Sequence, residues 1–310
     1  MSEARLVDMV GVIGAESLVG RPLVPLVAER ASGVLTCSRE AAAVAEPVRG
    51  GVRRHRTGAP LPAGSVAVSR WITLCPLWAV PDHLGWLEQL GAEHVVALSS
   101  MSGVTKASSP DAAERTLAAR LSAAEERLAS WAADRGIGLT LLVPTMIYDG
   151  RTDGNVTAIA AWVGRFGWFP LCGPALGLRQ PVHASDVAAA CLAASERRPP
   201  RTRYPLSGGE ALPFRELVER VCRARGLGPR TVSLPPWAWT AAAALARGLG
   251  LAGGATVAMG RRMNEDLSCD HTAAAADLDF RPRPFDPTAG TLADAEAPFE
   301  PRPDHRRNDP

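Results

Sequence analysis

The chain has 310 residues, 46% of them apolar and 21% charged, and a formal net charge of +2. That length holds one large or two modest domains with a full core, and the near-balanced charge excludes a nucleic-acid binder driven by bulk attraction. No apolar run reaches the roughly 18 residues a bilayer span needs, and the first residues lack the order of a signal peptide, so a cytoplasmic protein is expected. The six cysteines, Cys37, Cys75, Cys172, Cys191, Cys222 and Cys269, are scattered without a C-x-x-C or a histidine at metal spacing. Reduced buried thiols and no metal site follow. Lys106 is the single lysine; every other strong base is an arginine.

In chain order, residues 10–13 read as the end of a buried strand, 14–20 as a turn and 18–30 as a helix with Leu23, Val24, Leu26 and Val27 inward. A strand running straight into a helix leaves backbone N–H groups free at the helix start. With the helix dipole they make a site for an anion such as a pyrophosphate. Gly14 permits the tight turn, Ser17 stands where a second glycine would be and adds a hydroxyl, and Gly20 lets helix and strand pack closely. The competing reading is an ordinary strand–turn–helix. Residues 33–37 form a second strand, where a dinucleotide fold holds the adenosine ribose. An acid there would select NAD; Ser38-Arg39 suits a 2′-phosphate and predicts NADP ahead of NAD. The alternative is that Arg39 and Glu40 are solvated surface residues.

A third strand is expected over residues 52–55, a loop over 57–64 and a fourth strand over 65–74. That strand runs into Cys75-Pro76-Leu77-Trp78, a turn expected to face the cofactor. A helix over 80–90 closes at Gly91, and a fifth strand covers 94–100. Ser109 is expected to cap a helix reaching Arg135, with Leu117, Leu121, Leu128 and Trp131 as its apolar stripe. A sixth strand over 139–143 stops at Pro144. Helices are expected over 155–166, over 187–195 capped by Ser185 or Asp186, and over 213–225, with a short strand over 204–207. Trp237, Trp239 and the Ala-rich stretch to Leu251 are read as core packing rather than a membrane face. The pattern predicts an α/β fold: a doubly wound parallel Rossmann sheet over 1–150, completed by later segments. A smaller, partly interleaved α/β substrate domain follows over 151–298, then a disordered tail over 299–310.

Five pieces in this order resemble the NAD(P)-dependent epimerase/dehydratase branch of the extended short-chain dehydrogenase/reductase superfamily: the turn 14–20, the strand 95–100, Ala123-Ala124-Glu125-Glu126, the run from Pro144 to Tyr148, and the run from Pro181 to Ala188. The resemblance spans about residues 5–290 and implies a small-molecule substrate, sugar-nucleotide-like or lipid-like, and leaves a homodimer open. It places the cofactor along Gly14, Ser17, Leu18, Val19 and Gly20, then Ser38 and Arg39, then Leu74, Cys75 and Pro76, and finally Ser99, Pro144, Met146 and Ile147. Family members carry a Tyr and, four residues later, a Lys that lowers its pKa. Here those positions are Leu117 and Leu121, and Val143 replaces an arginine of the family. That departure resembles the atypical subgroup, whose members are divergent reductases, cofactor-dependent isomerases or proteins that hold NADP without turning it over.

The remaining catalytic candidates are Ser100 (with Ser102 beside it), where the family keeps a substrate-binding hydroxyl, Lys106 in the loop over the nicotinamide, and Tyr148 near its edge. Each has a plain alternative: a structural hydroxyl, a solvated lysine, a packed tyrosine. Arg179, Gln180 and His183 are candidates for substrate binding, with surface roles for the first two and a bracing role for the third as alternatives.

Overall fold

The computed structural model describes residues 9–39, 46–48, 51–60, 67–248 and 256–287. The expected tail, and Glu40, lie outside the described residues. The chain divides into two compact units: Met1–Ile147 with Gln180–Glu210 and Ser268–Phe285, and Tyr148–Arg179 with Ala211–Leu267 and Asp286–Pro310.

The first unit is built on an eight-stranded sheet. Its labelled strands are β1 (Met9–Ile13), β2 (Gly33–Ser38), β3 (Glu46–Val48), β4 (Val52–Arg56), β5 (Arg70–Thr73), β6 (His94–Leu98) and β7 (Gly138–Pro144). The order across the sheet is the strand Arg203–Leu206, then β7, β6, β5, β1, β2, β4 and β3. Every neighbouring pair is parallel except β3 with β4. Alternation along the strands splits the core in two. Met9, Ile13, Leu35, Trp71 and Val95 point to one face, under α4 (Ala112–Arg135). Val10, Val12, Val34, Ile72 and Val96 point to the other, under α1 (Gly20–Arg30) and the helix Ala184–Arg197. Covered on both faces, β1, β2, β5, β6 and β7 are buried at all but strand-end residues, and each large apolar side chain among them is worth roughly 1.5–3 kcal/mol of transfer from water.

Several expected elements change shape. The helix over 80–90 is a 3₁₀ turn at Leu77–His83 followed by the short α2 (Leu84–Gln89); Pro81 lacks the N–H that a continuous α-helix would use. Asp111, not Ser109, caps α4, accepting from the Ala113 N–H at 2.8 Å. Ser109 instead accepts from the Asp111 N–H and donates to Glu114. The helix Ala184–Arg197 is capped by the His183 ring, which accepts from the Ser185 N–H at 3.2 Å. Asp186 is engaged elsewhere, accepting from the Arg283 guanidinium at 2.7 Å. The short strand expected at 204–207 is Arg203–Leu206, and it completes the main sheet beside β7. The Tyr204 hydroxyl fastens it by donating to Asp277 at 2.8 Å.

The second unit holds the helices Val156–Phe166, Phe214–Ala224, Pro236–Gly248 and Val257–Arg262. Two small strand pairs accompany them: Phe169–Cys172 parallel to Thr231–Leu234, and Leu178–Arg179 antiparallel to Leu212–Pro213. Asp153 is buried and accepts from the N–H groups of Asn155 and Val156, which seats the first of these helices. Trp239 is core, its indole N–H donating to the Thr256 carbonyl at 3.0 Å. Trp237 is not: 76% of it is exposed, against the expectation of core packing.

Candidate functional site: a dinucleotide turn

The carboxyl ends of β1, β2 and β5 are tied into one knot. Gly14 donates its N–H to the Cys37 carbonyl at 3.3 Å, and Leu74 donates to the Ile13 carbonyl at 2.8 Å. Gly14 has φ +86°, the left-handed region that favours glycine, and a Cβ there would lie 3.0 Å from the Cys75 nitrogen. Gly20 is still more constrained: its Cβ would stand 2.3 Å from the Gly14 carbonyl oxygen. The turn therefore folds back on the helix start with no room for a side chain.

The donors at that helix start are apportioned. The Ser17 hydroxyl accepts from the Gly20 N–H at 3.0 Å, the Ser17 carbonyl accepts from Arg21, and Pro22 has no N–H to give. The N–H groups of Leu18 and Val19 find no acceptor among the described residues. Two adjacent unsatisfied donors at the positive end of a helix suit a diphosphate. Were a nicotinamide dinucleotide bound here, Leu18 and Val19 would hold its diphosphate through their main chains.

Ser38 and Arg39 are exposed at the end of β2. Burial pushes the Cys75 thiol up to about 11, and the Arg39 charge works against that shift. Arg54 from β4 reaches Glu16 of the turn at 3.7 Å. The sequence reading passed over Arg54; the run Val52-Arg53-Arg54-His55-Arg56 next to the ribose-side strand was the available signal.

At the other end of the sheet, β6 runs into Ser99, Ser100 and the short α3 (Ser102–Thr105). Ser99 is buried and donates to Glu125 of α4 at 2.5 Å; Glu125 also pairs with Arg203 at 3.3 Å. The Ser100 hydroxyl accepts from the Ser102 N–H at 3.1 Å, which fixes the oxygen and leaves its proton available for donation. Lys106 pairs with Glu114 at 3.6 Å, and Glu114 in turn accepts from Ser109. Leu121 is 3% exposed and packs beneath α3, its Cβ lying 3.5 Å from where a Gly103 side chain would begin. Leu117 lies partly buried against the same apolar cluster. One residue before Leu121, Arg120 stacks on Trp78 at 5.0 Å from the ring centroid.

Beyond β7, Met101 donates to the Pro144 carbonyl at 3.0 Å and Val182 donates to the Met146 carbonyl at 2.9 Å. Gln180 accepts from the Cys269 N–H at 2.8 Å through its side chain. His183 is the helix cap described above. These residues and Ile147 belong to the first unit; Tyr148 and Arg179 belong to the second. Tyr148 is buried, its hydroxyl accepting from the Asp286 N–H at 3.4 Å. Arg179 is buried too, donating to the carbonyls of Leu178 and Glu265 at 2.8 Å and to that of Arg262. Burial pulls its pKa down to about 10, so it stays charged at neutral pH. Its guanidinium is thus a brace for its own backbone. Among the described residues no cluster of His, Cys, Asp or Glu could hold a metal ion, and no helix is long and apolar enough to cross a membrane.

No protein-family model matches the chain. "Uncharacterized protein y4nG" of Sinorhizobium fredii is 31% identical over 184 residues, which is 58% of this chain and 45% of that protein. The match thus spans less than half of the relative's length. Among solved structures, UDP-glucuronic acid 4-epimerase from Bacillus cereus in complex with NAD superposes with a TM-score of 0.65 at 10% identity, covering 93% of this chain and 97% of that one. MoeE5 in complex with UDP-glucose and NAD gives 0.63 at 20% identity, covering 92% and 97%. A nucleoside-diphosphate-sugar epimerase from Pseudomonas aeruginosa gives 0.62 at 18% identity, covering 93% and 95%. At these identities the likeness is one of fold. The chain shares a Rossmann-type fold with these epimerase structures.

Proposed function

We propose that the first unit binds NADP(H), and that the protein exchanges hydride between that cofactor and a carbonyl or hydroxyl on a sugar-nucleotide-like or lipid-like substrate. The observation that carries the reading is the turn: Gly20 without room for a Cβ and two free N–H groups at Leu18 and Val19. The solved neighbours that hold NAD support a dinucleotide of this kind. Ser38, the last residue of β2, and Arg39 directly after it support the 2′-phosphorylated form.

When bound, the nicotinamide supplies the hydride acceptor or donor. Ser100 offers an oriented O–H to a substrate oxygen, and Lys106 offers positive charge where an alkoxide develops. The pair Lys106–Glu114 holds that ammonium at the start of α4. A second reading, NADP held as a structural, assembly or sensing ligand without turnover, is favoured by the burial of Leu121 in the place of the family's lysine.

Fluorescence titration with NADPH and NADH tests the first step: about tenfold tighter NADPH is expected, and equal affinity or tighter NADH removes the 2′-phosphate argument. Oxidation of NADPH across a panel of carbonyl compounds, repeated with Lys106→Ala, tests the second. A drop in turnover of roughly 10²-fold is expected; no turnover in the parent protein, with cofactor bound, selects the second reading.

A further inference from the structure

Between Asp153 and Asp186, and again between Glu219 and Glu265, the chain carries no carboxylate. Those two stretches hold nine arginines: Arg165 and Arg179 in the first, and seven from Arg220 to Arg262 in the second. Exposure follows the same partition. Among the described residues eleven large apolar side chains are exposed, and ten of them fall in these stretches, Val104 being the exception. Nearly all the exposed apolar surface therefore coincides with the acid-free, arginine-bearing part of the chain, and apart from the first residues beyond Arg179 that part lies in the second unit.

The centre of this surface is a cluster of rings. Trp162 meets Phe166 at 4.5 Å between centroids and Trp168 at 6.5 Å. Arg165 lies over Phe166 at 5.3 Å. Phe166 remains 46% exposed. The strand pairing sets exposed Val232 beside Pro170, and Trp237 stands five residues further on. The carboxylates bounding these stretches are engaged locally: Glu219 with Arg223, Glu265 with Arg261, and Asp266 with the Leu178 N–H. Arg165 and Arg230 have no carboxylate partner among the described residues.

We propose that this face docks on an anionic lipid surface, with Trp237 and Phe166 entering the headgroup–acyl boundary and Arg165 and Arg230 meeting lipid phosphates. Tryptophan and phenylalanine favour that boundary, where an apolar ring is buried and a polar edge stays wet, and arginine adds attraction to negative headgroups. An exposed ring cluster such as Trp162, Phe166 and Trp168 marks an interaction surface. A second copy related by a two-fold would bring Arg165 and Arg230 against their own counterparts, with Glu219 and Glu265 already paired to Arg223 and Arg261, which disfavours self-pairing. The inference is independent of the dinucleotide reading.

The test is flotation of the full chain with two kinds of vesicle, phosphatidylcholine alone and an equimolar mixture of phosphatidylcholine and phosphatidylglycerol. Recovery with the mixed vesicles, falling as salt rises, is expected. Trp237→Ser with Phe166→Ser, and separately Arg165→Glu with Arg230→Glu, are each expected to lower the partition about tenfold while the thermal midpoint holds. Brominated acyl chains should quench tryptophan fluorescence in the parent and less in Trp237→Ser. Equal recovery on neutral vesicles, no recovery on either, or unchanged recovery in both variant pairs overturns the proposal. A concentration-dependent dimer that both pairs dissolve, without vesicle binding, overturns it in favour of a second copy.

Discussion

The two ends of the strand edge in the first unit differ in kind. At β1 and β2 everything a diphosphate needs is present in the main chain: a left-handed Gly14, a Gly20 pressed on the Gly14 carbonyl, and donors left over at Leu18 and Val19. At β6 and α4 the scaffold is equally orderly, with Ser99 held by Glu125 and Ser100 oriented by Ser102, yet the helix turns Leu117 and Leu121, which cannot transfer a proton, toward the same region. Under the proposed function, holding a cofactor rests on backbone geometry, whereas chemistry upon it rests on a few side chains that substitution can remove without disturbing the fold.

The comparison breaks most sharply at Gly20. Gly20→Ala puts a methyl 2.3 Å from the Gly14 oxygen. We expect dinucleotide affinity to fall by about a hundredfold and stability by about 3 kcal/mol, read by fluorescence titration and by the urea midpoint. Next in size is Leu121→Lys. An ammonium placed beneath α3 faces an apolar pocket, so stability should drop by about 2–3 kcal/mol, and the new lysine should titrate below its ordinary range. If denaturation curves show no loss, Leu121 is not sealed and the contrast between the two ends weakens. Arg39→Ala should cost about 1–2 kcal/mol of NADPH affinity and leave NADH unchanged; equal losses for both would place Arg39 outside the 2′-phosphate site.

The smallest effect concerns Cys75. Burial first, eased by Arg39, holds its thiol near 11, so alkylation by iodoacetamide should be slow at neutral pH and accelerate as pH approaches that value. Arg39→Ala should slow it further. The folded protein holds this proton more tightly than the unfolded chain does. Its contribution to stability is therefore complete below the ordinary thiol range and fades as pH climbs toward about 11.

What the amino-acid order disclosed about this molecule follows the same division. Glycine spacing and unbroken apolar runs revealed β1, the turn, β2 and β6, because those features report backbone conformation and burial directly. The caps were less legible: Ser109, Asp111, His183 and Ser185 all carry acceptors, and only packing decides which one meets the helix end. The strand Arg203–Leu206 looked marginal because its partner β7 lies sixty residues earlier. Tyr148 and Arg179 read as chemical groups by type, but burial and backbone carbonyls claim them in the folded chain. Trp237 and Trp239 are two residues apart and have opposite fates, one exposed and one core, which periodicity alone did not separate.

The return of Arg203–Leu206 to the sheet has a consequence for synthesis. Until that segment leaves the ribosome, β7 is an open edge with unpaired N–H and C=O groups along one side, and its fastening through Tyr204 waits further for Asp277. The eight-stranded sheet is therefore complete only once residue 206 has emerged. A chain stalled after residue 200 would leave β7 as the edge strand in place of Arg203–Leu206, with its N–H and C=O groups on that side open to other strands.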